Sequence, residues 1–213
     1  MATPTGLRER KKQQTRELIA QTARRLFLAR GFDRVPVAEI ARAADVSEKT
    51  VFNYFPTKED LVFWRLEAFE EEILGALRER APGEPALAAF RRFVLTPRGL
   101  IDEDDPAARE RLLGITRMIT SSPALVAREQ QVFERFTGSL ARMLADETGA
   151  QPDDVEPWVA ANAMMGVHRA LVRFTRERVL QGATTNEIQG ELADRGERAL
   201  ASLEHGLGAY AVR

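Results

Sequence analysis

Apolar residues recur along this chain at spacings of three and four, and no stretch sustains the alternation of a β-strand. The pattern predicts an all-α protein of about nine helices. Ile19, Ala23, Leu26 and Phe27 form the stripe of a first helix from Leu7 to Arg30, which Gly31 ends at a C′ position. Residues 1–6, with Pro, Gly and Thr and no period, read as disordered. Val37, Ile40 and Ala41 mark a short second helix with Pro36 in its first turn, where the missing N–H costs little. A third runs from Glu48 to Tyr54. Leu61, Trp64, Leu66, Phe69 and Ile73 then line one long helix from Thr57 to about Arg80. Breaks at Ala81-Pro82-Gly83-Glu84-Pro85, Pro97-Arg98-Gly99 and Gly149-Ala150-Gln151-Pro152 divide the remainder. The helices between them cover about 86–95, 107–120, 121–148, 153–181 and 186–206.

The second and third helices are too short to stand alone and are joined by a tight turn at Asp45-Val46. Ser47 sits where an N-cap belongs, its hydroxyl placed to accept a free backbone N–H of the next helix. Val51 and Phe55 supply that helix's inward contacts. Two such helices crossing steeply form a helix-turn-helix, whose second helix is the one offered to a DNA major groove. At its start, Lys49 is suited to donate to guanine O6 or N7, and Glu48 to accept from cytosine N4. Thr50 and Asn53 follow one turn on, Thr50 suited to a thymine methyl or a phosphate.

The stretch AEIARAADVSEKTVFNYFPTKEDL resembles the DNA-binding signature of the TetR family of bacterial repressors, most tellingly in its tail from Phe52 to Leu61. The resemblance covers roughly residues 10–65. It implies that Tyr54 and Lys58 hold the DNA backbone. Two positions depart from the family pattern. Pro36 lies near where members carry Ser or Thr, which caps the helix and touches a phosphate, and Asp45 stands where they carry Gly. Asp is among the few residues that tolerate the left-handed backbone expected at that turn. The implied division is a helix-turn-helix domain over 1–58 and a helical effector-binding and dimerisation domain over 59–213.

The net charge is only −1, but it hides an asymmetry. Residues 1–58 carry 12 Lys/Arg against 6 Asp/Glu, and the rest 19 against 26. A basic half, with Arg8, Arg10, Lys11, Lys12 and Arg16 near the chain start, suits a polyanion. Cysteine is absent, which excludes disulfides, thiolate catalysis and Cys-ligated metals. The first residues lack the apolar core of a secretory signal, and no apolar run approaches a membrane span. A cytoplasmic protein is the simplest reading.

No nucleophile, metal or phosphate-loop motif appears, and the two histidines, His168 and His205, form no catalytic pattern. Neither an enzyme, a cofactor nor a metal is expected. The penultimate helix is apolar on most sides and so is buried on most sides. One stripe, Trp158, Ala161, Met165 and Val172, is assigned to a partner chain, with Ile188, Leu192, Ala199 and Leu203 of the last helix completing an intersubunit four-helix bundle. This is also the arrangement the family resemblance implies. A ligand cavity is expected among Phe90, Phe93, Met118, Phe133, Phe136, Met164 and Leu171, with Thr116, Arg117, Asn162 or His168 as polar fixtures. The function expected is a homodimeric repressor released from a palindromic double-stranded DNA operator by a small apolar effector. Two other classes stay open: a helical enzyme or ligand carrier retaining a DNA-binding fold, and a protein-interaction module.

Overall fold

The computed structural model describes residues 4–102 and 105–207. Among these are ten α-helices and one turn of 3-10 helix, with no strand. In order they are α1 (Pro4–Arg30), α2 (Val37–Ala43), α3 (Glu48–Tyr54), α4 (Asp60–Phe63), α5 (Leu66–Arg78) and α6 (Ala86–Leu95). A 3-10 turn at Gly99–Ile101 precedes α7 (Pro106–Ser121), α8 (Pro123–Thr148), α9 (Glu156–Leu180) and α10 (Thr185–Leu207). No helix of the described residues is long and apolar enough to cross a membrane.

The chain divides into two compact units. The first comprises residues up to Glu67 together with Met118–Arg128, and the second Ala68–Arg117 and Glu129 onward. The expected division between Lys58 and Glu59 therefore falls inside the first unit.

In the first unit, α1 packs on α2 and α4, and α2 on α3. Ile19, Ala23, Phe27, Ile40, Val51, Phe55 and Leu61 are among its buried apolar residues. Gly31, at φ 89°, ends α1 as its N–H returns to the Phe27 carbonyl. Ala44, Asp45 and Val46 close α2 in a Schellman motif. The Val46 N–H reaches the Ala41 carbonyl at 2.9 Å, the Asp45 N–H reaches that of Arg42 at 3.2 Å, and Asp45 takes φ 54°. The left-handed residue expected at this turn is thus Asp45.

Three expectations are corrected. Residues 4–6 are helical, as the start of α1, whereas 1–3 lie outside the described residues. Pro36 is the N-cap of α2, with extended backbone, rather than part of its first turn. The long helix from Thr57 to Arg80 is interrupted: α4 ends at Phe63 and α5 begins at Leu66. Neither Gly nor Pro marks that break, so the apolar period reads straight through Trp64-Arg65.

In the second unit α10 packs against α9 and α6, and a Cβ at Gly196 would overlap the Leu95 side chain. Arg80 is buried and fully engaged. Its guanidinium donates to the carbonyls of Leu77 (2.6 Å) and Glu84 (2.9 Å) and to both carboxylate oxygens of Glu147. A buried guanidinium is tolerable only with its donors met in this way.

Candidate nucleic-acid interface

The Ser47 hydroxyl accepts the Thr50 N–H at 3.0 Å and pairs with the Thr50 hydroxyl at 2.8 Å, fixing where α3 begins. Val51 and Phe55 are buried, so the rotation of the helix about its axis is fixed from the inside. At about 100° per residue this turns Glu48, Lys49, Phe52 and Asn53 outward, and all four are exposed. Thr50 and Tyr54 lie half-buried on the flank.

Phe52 is the outward residue to which the sequence reading assigned no role. It is 46% exposed, a large apolar side chain set between two charged ones on a solvent face. The signal was available in the helical period. Phenylalanine is among the side chains that contact the thymine methyl in a major groove.

The Lys58 side chain reaches the link between α1 and α2. Its ammonium donates to the Phe32 carbonyl at 2.7 Å and sits 4.3 Å from the Phe32 ring centroid and 5.7 Å from that of Phe27. Burial pulls its pKa below the usual lysine value, against the opposing pull of Asp33 and Glu59. The side chain is half-buried. Thr57 and Asp60 form a reciprocal cap at the entry to α4. The Asp60 carboxylate accepts the Thr57 N–H (2.9 Å) and hydroxyl (2.8 Å), and the Asp60 N–H returns to the Thr57 oxygen (3.3 Å). The same carboxylate receives Arg128 Nε at 2.8 Å and Nη2 at 2.6 Å. Sixty-eight residues separate that pair, and no sequence pattern announces it.

Arg8, Arg10, Lys11 and Lys12 lie exposed along α1, with Lys12 near Glu9. Arg16 lies 5.5 Å from the Phe55 ring centroid.

Residues 19–63 match the sequence model of bacterial regulatory proteins of the tetR family, and residues 84–208 match the MftR C-terminal domain. The chain belongs to the TetR family. It is 34% identical over 160 residues to the HTH-type transcriptional regulator TcmR of Streptomyces glaucescens, across 72% of this chain and 70% of that protein. It is 27% identical over 166 residues to MftR of Mycobacterium tuberculosis, a transcriptional regulator assigned to mycofactocin biosynthesis, across 74% and 78%. The structure of NalD, the secondary repressor of the MexAB-OprM multidrug efflux pump in Pseudomonas aeruginosa, shares the fold. It matches 88% of this chain and 97% of that one with a TM-score of 0.55 at 20% identity. The chain is therefore a TetR-family transcriptional regulator with an N-terminal helix-turn-helix and a helical C-terminal domain.

Of the expected ligand-site residues, Phe93, Phe133, Phe136 and His168 come together around Phe69. The Phe69 ring stacks on His168 (centroids 5.1 Å, 20°), meets Phe93 edge-on at 5.3 Å and lies 6.2 Å from Phe136. His168 also meets Phe133 at 5.8 Å. Burial among these rings pushes the imidazole pKa down to about 4, so it is neutral at physiological pH. Phe90, Thr116, Met164 and Leu171 are buried, Arg117 and Asn162 are exposed, and Met118 belongs to the first unit. The Asn162 amide donates to the Trp158 carbonyl of its own helix. A separate cleft of about 390 Å³ in the second unit is lined by Leu112, Leu113, Val179, Ala183 and Ile188, with Asp105 and Arg109 among its polar residues. None of the expected ligand residues lies in it. No group of three potential ligands among the described residues is placed to hold a metal ion.

Of the residues expected at a dimer interface, Ala161, Met165, Ile188 and Leu192 are buried within the chain itself. Val172, Ala199 and Leu203 are half-buried. Of the eight residues assigned to the partner, Trp158 alone is exposed, at 48%. Helical periodicity marks the buried stripe without saying which body buries it.

Proposed function

We propose that the chain works as a homodimeric repressor that reads operator DNA with α3 and is released by a small apolar ligand held in its C-terminal domain. One observation supports this above the rest. Glu48, Lys49, Phe52 and Asn53 project from a helix whose start and rotation are fixed by Ser47, Val51 and Phe55. A reading surface carried on rigid internal contacts is what direct base recognition requires. Tyr54 and Lys58 flank it and would meet the DNA backbone, with the basic start of α1 following phosphates.

Two copies are needed for specificity at two half-sites roughly 34–36 Å apart. The outward row of α9, begun by its N-cap Val155, supports such pairing: Val155, Val159, Asn162, Gly166, Ala170 and Arg173 are exposed at helical spacing, with apolar or small groups at four of the six positions. Small residues permit close approach of a partner helix. For the effector, the aromatic group around Phe69 and the neutral His168 fit an apolar molecule with one uncharged polar group. The relatives TcmR and MftR are transcriptional regulators.

The test is selection of binding sites from random duplex DNA, followed by screening of small apolar molecules for release. Linkage demands that operator weaken ligand binding by the factor with which ligand weakens operator binding. A palindromic selected site and reciprocal weakening are expected. Failure to enrich any duplex would remove the repressor assignment.

A further inference from the structure

Two consecutive residues of α8 carry paired ion contacts to different helices. Arg128 holds the Asp60 carboxylate of α4 through Nε (2.8 Å) and Nη2 (2.6 Å), inside the first unit. Glu129 is held by both terminal nitrogens of Arg176 of α9, with Nη1 to Oε2 at 2.6 Å, inside the second unit. All four side chains are mostly buried, from 13% to 27% exposed. The Arg176–Glu129 pair is bidentate, one nitrogen to each oxygen, whereas both Arg128 nitrogens converge on Asp60 Oδ1 and leave Oδ2 to cap Thr57. Partly desolvated charge-assisted pairs of this kind fix direction as well as distance. Neighbours on a helix point about 100° apart, so one rigid element carries both contacts and cannot turn or slide without disturbing each.

The first-unit contact leads further. Asp60 caps Thr57 through its N–H and hydroxyl, and the next residue, Lys58, donates to the Phe32 carbonyl between α1 and α2. A chain of polar contacts therefore runs from Arg128 through Asp60, Thr57 and Lys58 to the frame that holds α3. The obvious alternative route is weaker, because the covalent path from α4 to α5 is interrupted at Trp64-Arg65. Helix α8 has no such interruption from Pro123 to Thr148.

We propose that Arg128 is a positioning residue for DNA recognition, and that α8, through the adjacent Arg128 and Glu129, carries the state of the C-terminal domain to the helix-turn-helix. This rests on the reading of the chain as a DNA-binding regulator and names the element that regulates it. Neither residue is required to touch DNA. Arg128 acts on the reading helix through Asp60, and Glu129 acts only through α8.

The test is a double-mutant cycle read in DNA affinity, using duplex selected from random DNA by the wild-type protein. Arg128→Ala is expected to weaken binding by about threefold to thirtyfold, the range of residues that modulate coupling. Glu129→Gln is expected to weaken it in the same direction, and the double variant to bind no worse than Arg128→Ala alone. Thermal unfolding checks that each variant folds; if Arg128→Ala does not, Arg128→Lys, which keeps the charge but not the fork, takes its place in the cycle. Amide exchange at Thr57 and Asp60 should quicken in both single variants, which a purely local role for Glu129 would not cause. Unchanged affinity in Glu129→Gln, effects that multiply in the double variant, or unchanged exchange at Thr57 would each overturn the proposal. A wild-type protein that selects no duplex overturns it together with the regulator reading, and shows this before any variant is made.

Discussion

The Lys58 ammonium donates a 2.7 Å hydrogen bond to the Phe32 carbonyl and lies 4.3 Å from the centroid of the same residue's ring. One side chain from the segment after α3 thereby ties down the link between α1 and α2. Removing it leaves the Phe32 carbonyl with the longer bond from the Val35 N–H, at 3.3 Å, and loses a cation–π contact. Lys58→Met, which keeps the stem, should lower stability by about 1–2 kcal/mol. Denaturant unfolding measures this. Binding to specific and random duplex should weaken alike, and a salt slope smaller by about one unit would show that Lys58 also meets a phosphate. Wild-type stability in the variant would mean that the Phe32 contact contributes nothing.

His168 should make the protein acid-sensitive. Its pKa is pushed to about 4 in the fold, from an ordinary value of 6.5, because burial disfavours the imidazolium. Between those values the unfolded chain binds the proton and the native one does not, so stability rises with pH across the window. The contribution is fully present above pH 6.5 and is lost as pH falls through 4. Its size is on the order of 3 kcal/mol. His168→Phe should flatten the stability profile from pH 6.5 to 5, where few carboxylates titrate. An unchanged slope in urea unfolding across that range would place the sensitivity elsewhere.

Much of this fold was legible because local chemistry and tertiary packing agree. Ser47 fixes the start of α3 by the same hydrogen bond its position implied, and Asp45 takes the left-handed turn that the motif demands. The gap between α4 and α5 was not legible, since Trp64 and Arg65 are ordinary helix residues and nothing in the pattern forces a break. Met165 and Ala161 fall on an apolar stripe whether their own chain or another covers them, so periodicity alone does not say that their own chain buries them. Phe52 could have been placed by the 100° step alone. The Arg128–Asp60 contact could not, because it depends on helices distant in sequence.

Asp45 should accept glycine with a gain. A non-glycine residue at φ 54° costs about 1–2 kcal/mol, less for Asp, and glycine returns about 0.4–1 kcal/mol of that through the greater freedom of the unfolded chain. Asp45→Gly should therefore stabilise by up to about 1 kcal/mol without changing DNA preference. Thermal unfolding decides it, and a clear loss of stability would show that the Asp45 side chain makes a contact worth more than the strain.

On the reading face, Lys49→Ala should cost about 1–3 kcal/mol at one base position per half-site. Phe52→Ser should relax preference for thymine at one position and leave thermal unfolding as it is, since the ring is exposed. Binding-site selection with each variant resolves the two. If every base preference survives both substitutions, α3 does not read bases with this face.

The assembly can be tested because burial separates two kinds of α9 residue. Met165 is 1% exposed within a single chain, so Met165→Asp leaves an unpaired charge in that chain's own core. It should unfold the C-terminal domain at every protein concentration. Val159 is 56% exposed and Ala170 is also open. Val159→Asp or Ala170→Glu leaves the lone chain's core intact and places charge only where a second copy would pack. These two variants should sediment as folded monomers, with helical content unchanged and operator affinity sharply reduced, because one helix-turn-helix then holds one half-site. The loss should shrink as protein concentration rises, which a direct defect in DNA contact would not show. Intact dimers from both variants would move the pairing surface off this row of α9.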